Sequence, residues 1–303
     1  MSAPAGVDDA AGAGAGAASG DAAPWPAPAK LNLFLHILGR RPDGYHELQT
    51  CFQFVDLCDE LSITVRGDGE IHRLGGAPGV PEASDLAVRA ARLLQRTTGS
   101  RAGADIRVLK RIPMGAGLGG GSSDAATTLV ALNHLWRLSL TEDELARLGL
   151  ALGADVPVFV RGQAAWGEGV GERLTPLRGA QAPAETNYLI LKPNVSIATA
   201  AVFQDAELTR NSAPITIAGF LSSGGRNDCE PIVRRRYPEV AQALDWLSNV
   251  GAARLTGTGA CVFVACDSAD RAREWLRKVP PAFEAYLARG LNDSPLLKRL
   301  AAG

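Results

Sequence analysis

The sequence predicts an α+β protein of two domains. Three observations lead there: short runs with apolar residues at every second position, longer runs with apolar residues at helical spacing, and an interleaving of the two that keeps no strict strand–helix–strand rhythm. A chain of 303 residues fits two units of about 150 residues better than one hydrophobic core. The expected division is 25–180 and 181–303, after a disordered Ala/Gly-rich tail over 1–24.

The tail carries only acidic charge and too little apolar surface to offset the entropy of ordering it. It lacks the basic start and long apolar stretch of a secretory signal. Lys30–Leu38 then alternates, with Leu31, Leu33, Leu35 and Ile37 on one face of a strand and Lys30, Asn32, Phe34 and His36 on the other. Lys30 and Asn32 therefore point the same way. Arg41–His46 is a turn-rich loop around Pro42 and Asp43-Gly44. Thr50–Leu57 and Leu61–Val65 read as two further strands. Ser84–Gln95 predicts a helix with Leu86, Ala90, Leu93 and Leu94 on one side. Ile106–Leu109 is a short strand leading into a glycine-rich loop, and Ser122–Trp136 is helical. Thr141 and Glu144 form a capping box that opens a helix reaching about Leu152.

In the second half, Asn187–Leu191 reads as a strand and Ala198–Asp205 as a short helix. Another helix starts with Asp228 capping and Pro231 in its first turn, and Pro238 must end or kink it. Glu239–Ser248 is helical. Ala253–Leu255 and Cys261–Ala265 form a hairpin about a glycine turn, and Ser268 caps a helix running to Lys278.

Composition narrows the function classes. Hydrophobic residues at 46% and charged residues at 21% are ordinary for a globular protein. A net charge of −1 gives no electrostatic case for nucleic acid or a membrane surface. No run of ~18 apolar residues spans a bilayer. The five cysteines (Cys51, Cys58, Cys229, Cys261, Cys266) form no C-x-x-C pair, and the four histidines are scattered. No metal-ligand set is legible in that spacing, and reduced thiols in a cytoplasmic protein are expected. A small anionic ligand stays open, because a nest of backbone N–H groups needs no global charge.

The sharpest local signal is Pro113-Met114-Gly115-Ala116-Gly117-Leu118-Gly119-Gly120-Gly121-Ser122-Ser123. Its glycines let the backbone reach positive φ and bring successive N–H groups close to a ligand. A helix follows at once, so the positive end of its dipole points at the loop, and Ser122 and Ser123 add hydroxyl donors. A G-x-x-x-x-G-K-[ST] loop is excluded, since no Lys precedes Ser122. Gly115, Gly117 and Gly120 match a dinucleotide fingerprint, but the acidic residue closing a second strand about 20 positions on is missing. A mere flexible hinge would not be followed by so regular a helix. The loop reads as a phosphate cradle.

This run resembles the ATP-phosphate loop of the GHMP kinases, P-x-x-x-G-L-G-S/G-S-S-x-A. Pro28-Ala29-Lys30-Leu31-Asn32 and Thr256-Gly257-Thr258-Gly259-Ala260-Cys261 resemble two further signatures of that family, in the same order. The resemblance implies a first domain like domain 2 of ribosomal protein S5, with a left-handed βαβ unit, and a ferredoxin-like second domain. It implies ATP as phosphoryl donor, with magnesium riding on its phosphates and no protein ligand for the metal identified. Asp155, in Leu152-Gly-Ala-Asp-Val-Pro157, resembles the family's catalytic base. It also sits where an N-cap before Val156-Pro157 would stand, and base and orienting group both remain open roles. Lys30 would lie beside it, holding its charge and lowering the acceptor hydroxyl's pKa.

Arg41-Pro-Asp-Gly-Tyr45-His46 resembles the branch of the family acting on diphosphocytidyl-methylerythritol, which implies phosphorylation of that substrate's 2-hydroxyl. There Tyr45 would stack on the cytosine, His46 would hydrogen-bond its edge, and Asn32 would join the substrate contacts. Thr199 and Phe203 resemble a ligand threonine and the second ring, each stack contributing roughly 1–3 kcal/mol. Phe203 as a core aromatic is the competing reading. Asp85-Leu-Ala-Val-Arg-Ala-Ala stands where relatives have N-L-I-x-R-A-A, and Ala116 stands where Gly is common, which needs a negative φ there. Rivals are other GHMP kinases acting on homoserine, mevalonate or a sugar, and a relative that binds without catalysing. The implied partner is a small molecule, with the protein a monomer or homodimer.

Overall fold

The computed structural model describes residues 23–75 and 79–302. The tail expected over 1–24 lies outside the described residues, apart from the exposed Ala23 and Pro24. The strands are β1 (Trp25–Arg40), β2 (His46–Arg66), β3 (Ile71–Gly75), β4 (Gly103–Leu109), β5 (Ala165–Gly169), β6 (Arg173–Pro176), β7 (Asn187–Pro193), β8 (Arg254–Leu255), β9 (Val262–Cys266) and β10 (Phe283–Leu291). The helices are α1 (Leu86–Thr98), α2 (Gly120–Leu135), α3 (Glu142–Leu150), α4 (Val156–Arg161), α5 (Thr199–Gln204), α6 (Ile217–Ser223), α7 (Glu230–Arg236), α8 (Pro238–Ser248), α9 (Ala269–Leu276) and α10 (Pro295–Ala302).

Among the described residues the strands run in the order β3-β4-β2-β10-β7-β9-β8, with β1 and β5 also on β2 and β6 on β5. The β3–β4 pair is parallel, with α1 crossing between its strands, and the other pairs are antiparallel. The mixed α+β class stands. The two strands expected over Thr50–Leu57 and Leu61–Val65 are one strand of 21 residues. The polar segment between them stays in the ladder, because Asp59 pairs with Ala27 while its carboxylate accepts from the backbone N–H of Arg111 and Ile112.

Local signals set several helix ends. The Thr141–Glu144 capping box forms as expected. Ser268 Oγ accepts from Arg271 N at 3.2 Å and opens α9. α1 starts two residues later than expected, because Asp85 caps it by accepting from Ala87 N at 2.9 Å while Ser84 belongs to a short 3-10 turn. Asp228 does not cap α7. Asn227 Oδ1 accepts from Cys229 N, and the Asp228 carboxylate instead takes N–H from Ile37 at 2.7 Å together with Ser212 and Arg226. α7 ends at Arg236 and α8 begins at Pro238, as a proline without N–H demands.

Among the described residues three apolar cores result. Phe54, Leu61, Ala90, Leu94, Ala125, Leu129 and Phe159 join α1, α2 and α4 to β2. α2 is buried through Ser123–Leu132, which marks it as a central helix rather than a surface one. Leu189, Leu191, Val233, Leu244, Val262 and Trp275 join α7, α8 and α9 to β7 and β9. The third core matters most for function: Ile112 just before the glycine loop and Ala116 and Leu118 within it pack with Leu31, Val55, Cys261 and Phe263. Burying Leu118 alone stabilises the loop by about 2 kcal/mol.

Candidate active site

β1 leaves regular register between Pro28 and Ala29 and again between Asn32 and Phe34. Between these shifts the chain turns to the glycine loop, and Lys30 N donates to Leu118 O at 3.0 Å. Lys30 is 3% exposed, and Nζ donates to Asn32 Oδ1 and to Gly117 O at 3.1 Å. It also lies 3.4 Å from Asp155 Oδ2 and 5.6 Å from the centre of the Phe52 ring. Asn32 is held in turn, Nδ2 donating to Thr50 Oγ1 and N to Thr256 Oγ1, both at 3.0 Å. Asp155 occupies the cap position of α4, yet its side chain makes no cap hydrogen bond. The carboxylate is 34% exposed and faces Lys30.

The loop has the predicted backbone. Gly115, Gly117 and Gly119 have φ of 62, 76 and 73°, whereas Ala116 is not in the left-handed region. A Cβ on Gly117 would lie 2.3 Å from Thr256 O, and one on Gly119 would lie 2.8 Å from Phe159 Cζ. The Thr256–Cys261 segment closes over the loop, with Cys261 N donating to Ala116 O at 3.0 Å. Gly119 caps α2 without a side chain, so the first-turn N–H groups stay free for an anion.

These parts border one cavity of about 570 Å³. Lys30, Asn32, Asp155, Thr199, Phe203 and the whole run from Pro113 to Ser122 line it. Ser123 does not: one residue further round α2, it is fully buried and its Oγ meets no partner. Of the two expected hydroxyl donors, only Ser122 reaches the cavity. Thr199 Oγ1 lies 3.0 Å from Thr258 Oγ1 at the start of α5.

The expected base-binding residues are only partly assembled. His46 is buried and stacks on Phe203, with ring centres 5.1 Å apart at 24°. Its Nε2 accepts from Arg210 Nε at 3.0 Å. Burial, then the charges of Arg210 and Arg40, holds the imidazole below its ordinary pKa, so it is neutral with Nδ1 carrying the proton. Tyr45, the last loop residue before β2, is 64% exposed, and neither it nor His46 stands on the cavity wall. Phe203 borders the cavity and also packs against the second core, a position compatible with either reading of it.

Comparison with known proteins decides the family. The model of the GHMP kinases N terminal domain matches residues 85–163, and that of the GHMP kinases C terminal matches residues 206–285. The chain is 55% identical over 274 residues to the 4-diphosphocytidyl-2-C-methyl-D-erythritol kinase of Halorhodospira halophila, covering 90% of this chain and 95% of that one. The chain belongs to the GHMP kinase family. A second relative of the same description, from Alkalilimnicola ehrlichii, is 57% identical to this GHMP kinase over 273 residues, 90% of this chain and 92% of the relative. The crystal structure of a 4-(cytidine 5'-diphospho)-2C-methyl-D-erythritol kinase superposes with a TM-score of 0.77 at 33% identity, covering 88% of this chain and 98% of that one. A mevalonate kinase structure at 16% identity and TM-score 0.65 shares the fold, covering 90% of this chain and all of its own. The two-domain GHMP kinase fold is thereby shown, and ATP is this GHMP kinase's donor, as in its family.

Sequence reading missed several groups on the cavity wall of this GHMP kinase: Thr50, Phe52, Lys110, Asp124 and the Val170-Gly171 turn. Lys110 and Asp124 carried a signal, being charges close to the two ends of the glycine loop. Arg210 had none, since its partner His46 is 164 positions away. Among the described residues no helix is long and apolar enough to cross a membrane.

Proposed function

We infer that this kinase transfers the γ-phosphoryl group of ATP to the 2-hydroxyl of 4-diphosphocytidyl-2-C-methyl-D-erythritol, a step of the non-mevalonate route to isoprenoids. The observation that carries the reading is the Lys30–Asp155 pair at 3.4 Å on a cavity that also holds the glycine loop, in a chain 55% identical to a relative described by that activity.

Phosphoryl transfer requires positioning and charge stabilisation above all. The glycine loop and the α2 N-terminus supply donors for the ATP phosphates. Asp155 accepts the hydroxyl proton as the new P–O bond forms, or orients that hydroxyl. Lys30 pairs with that carboxylate and steadies charge on the moving phosphoryl group. The cytidine end lies toward Thr199, Phe203 and His46. Tyr45 reaches the base by swinging its exposed ring inward. Among the described residues no group of three or more His, Cys, Asp or Glu could hold a metal ion. Magnesium would accompany the ATP phosphates, whose charge it neutralises. We place the domain division at residue 180 and read the protein as a cytoplasmic monomer or homodimer without nucleic-acid partners.

The deciding experiment is magnesium-dependent ADP release with the cytidyl substrate beside homoserine, mevalonate and galactose. Turnover with the cytidyl compound alone is expected. Turnover with a control in its place would discard the cytidyl subsite, and silence with all four despite ATP binding would discard catalysis.

A further inference from the structure

Beneath the phosphate loop lies a buried charge cluster that the transfer chemistry above does not use. Asp59, in the middle of β2, is fully buried. Its Oδ1 accepts from the backbone N–H of Arg111 and from that of Ile112 at 2.8 Å, the two residues leading into the loop. Its Oδ2 accepts from Lys110 Nζ. The same ammonium donates to Asp124 Oδ2 at 2.7 Å, on the first turns of α2 where the loop ends. Lys110 thus bridges a carboxylate at one end of the loop to a carboxylate at the other. Lys110 and Asp124 both border the cavity, and Asp124 Oδ1 is buried without a hydrogen-bond partner.

We propose that Asp59, Lys110 and Asp124 are positioning residues that clasp the two ends of the phosphate loop from beneath and tie its affinity for ATP to the charge on Asp124. The proposal rests on the loop being the ATP cradle.

Two carboxylates and one ammonium leave a surplus negative charge under the arriving phosphates whenever both acids are ionised. A proton on Asp124 removes that surplus. Burial raises the Asp124 carboxyl to about 7, with Lys110 opposing and Asp59 adding to the rise. Burial lowers the Lys110 ammonium, but Asp124 and Asp59 more than offset it and leave it raised. Lys110 therefore stays charged while Asp124 changes state near neutrality. The other charged groups around the loop are engaged elsewhere. Asp85 ahead of α1 pairs with Arg73 of β3 at 3.1 Å, Arg111 pairs with Glu60 of β2 at 2.9 Å, and Lys30 of β1 faces Asp155 ahead of α4.

The test is ATP binding to the full chain by calorimetry, without the acceptor, between about pH 6 and 8.5. Wild-type affinity should fall about tenfold relative to Asp124→Asn across that window, a ratio in which the titration of ATP itself cancels. Asp124→Asn is nearly isosteric and always neutral, so it should hold the low-pH affinity throughout. Asp59→Asn leaves Lys110 a single carboxylate and should flatten the profile as well. A constant ratio of wild type to Asp124→Asn at every pH overturns the proposal. A wild-type protein that binds no ATP at any pH overturns the cradle reading and this inference with it, whereas failure of the acceptor reading leaves the experiment untouched.

Discussion

Lys30 is an ammonium at 3% exposure, and such a charge is tolerated only among well-placed oxygens. It has three: Asn32 Oδ1, Gly117 O and Asp155 Oδ2. Two of them orient it and the third, on the open side, is left for chemistry. Asp155→Asn keeps the volume but loses the proton acceptor, so turnover should drop roughly 100-fold or more with ATP binding near normal. Steady-state kinetics with a parallel ATP titration check this, and near-wild-type turnover would remove Asp155 from the mechanism. His46→Ala strips Phe203 of its stacking partner and leaves Arg210 Nε without its acceptor. The KM for the cytidyl substrate should rise about tenfold, the worth of one lost hydrogen bond to the base edge, while the KM for ATP stays within a factor of ~2. Equal weakening of both would mean that the cytidine end lies elsewhere.

At the scale of elements, the glycine loop is the part best specified by its own residues. Its alternating left-handed glycines need no tertiary context, but the tightness at Gly117 does. There a side chain would meet Thr256 O, from the segment that closes over the loop 139 positions later. Gly117→Ala combines that clash with strain at a φ of 76°, and should raise the KM for ATP at least tenfold. It should also lower stability by about 1–3 kcal/mol. Unfolding midpoints and ATP titrations on the same preparation separate the two effects. β2 shows the opposite case. Periodicity alone breaks it at Cys58-Asp59-Glu60, because a buried carboxylate in a strand is legible only with the backbone N–H groups that satisfy it. β3, β5, β6, α6, β10 and α10 left no reading at all, being short or of mixed pattern, and α4 left only the candidate cap at Asp155.

Across the whole molecule, the site depends on keeping three segments in register: β1, the glycine loop and the Thr256–Cys261 segment. Asn227 is one of the ties. Buried ahead of α7, it donates Nδ2 to Leu255 O at 2.9 Å and Gly257 O at 2.8 Å, accepts from Cys229 N, and bridges through its backbone to Leu35 of β1. Asn227→Ala leaves two carbonyls and an N–H without partners, which should cost about 2–4 kcal/mol. The thermal midpoint should fall by several degrees, and the KM for ATP should rise because Gly257 borders the cavity. An unchanged midpoint would show that water or a shifted backbone replaces those bonds.

What the sequence determined by itself was local: the glycine run and the helix behind it, the Thr141 and Ser268 caps, the break at Pro238, and the pairing of Lys30 with Asn32 on one strand face. Each depends on residues a few positions apart, whose geometry the backbone fixes directly. The family resemblance implied that Asp155 meets Lys30 from 125 positions away, and the tertiary structure alone decided that Ser123 is turned from the cavity, that His46 rests on Phe203 with Arg210 behind it, and that Lys110 joins Asp59 to Asp124. Those contacts join distant segments through burial and charge pairing, and no periodicity in a single chain records which distant group will supply a buried charge with its partner.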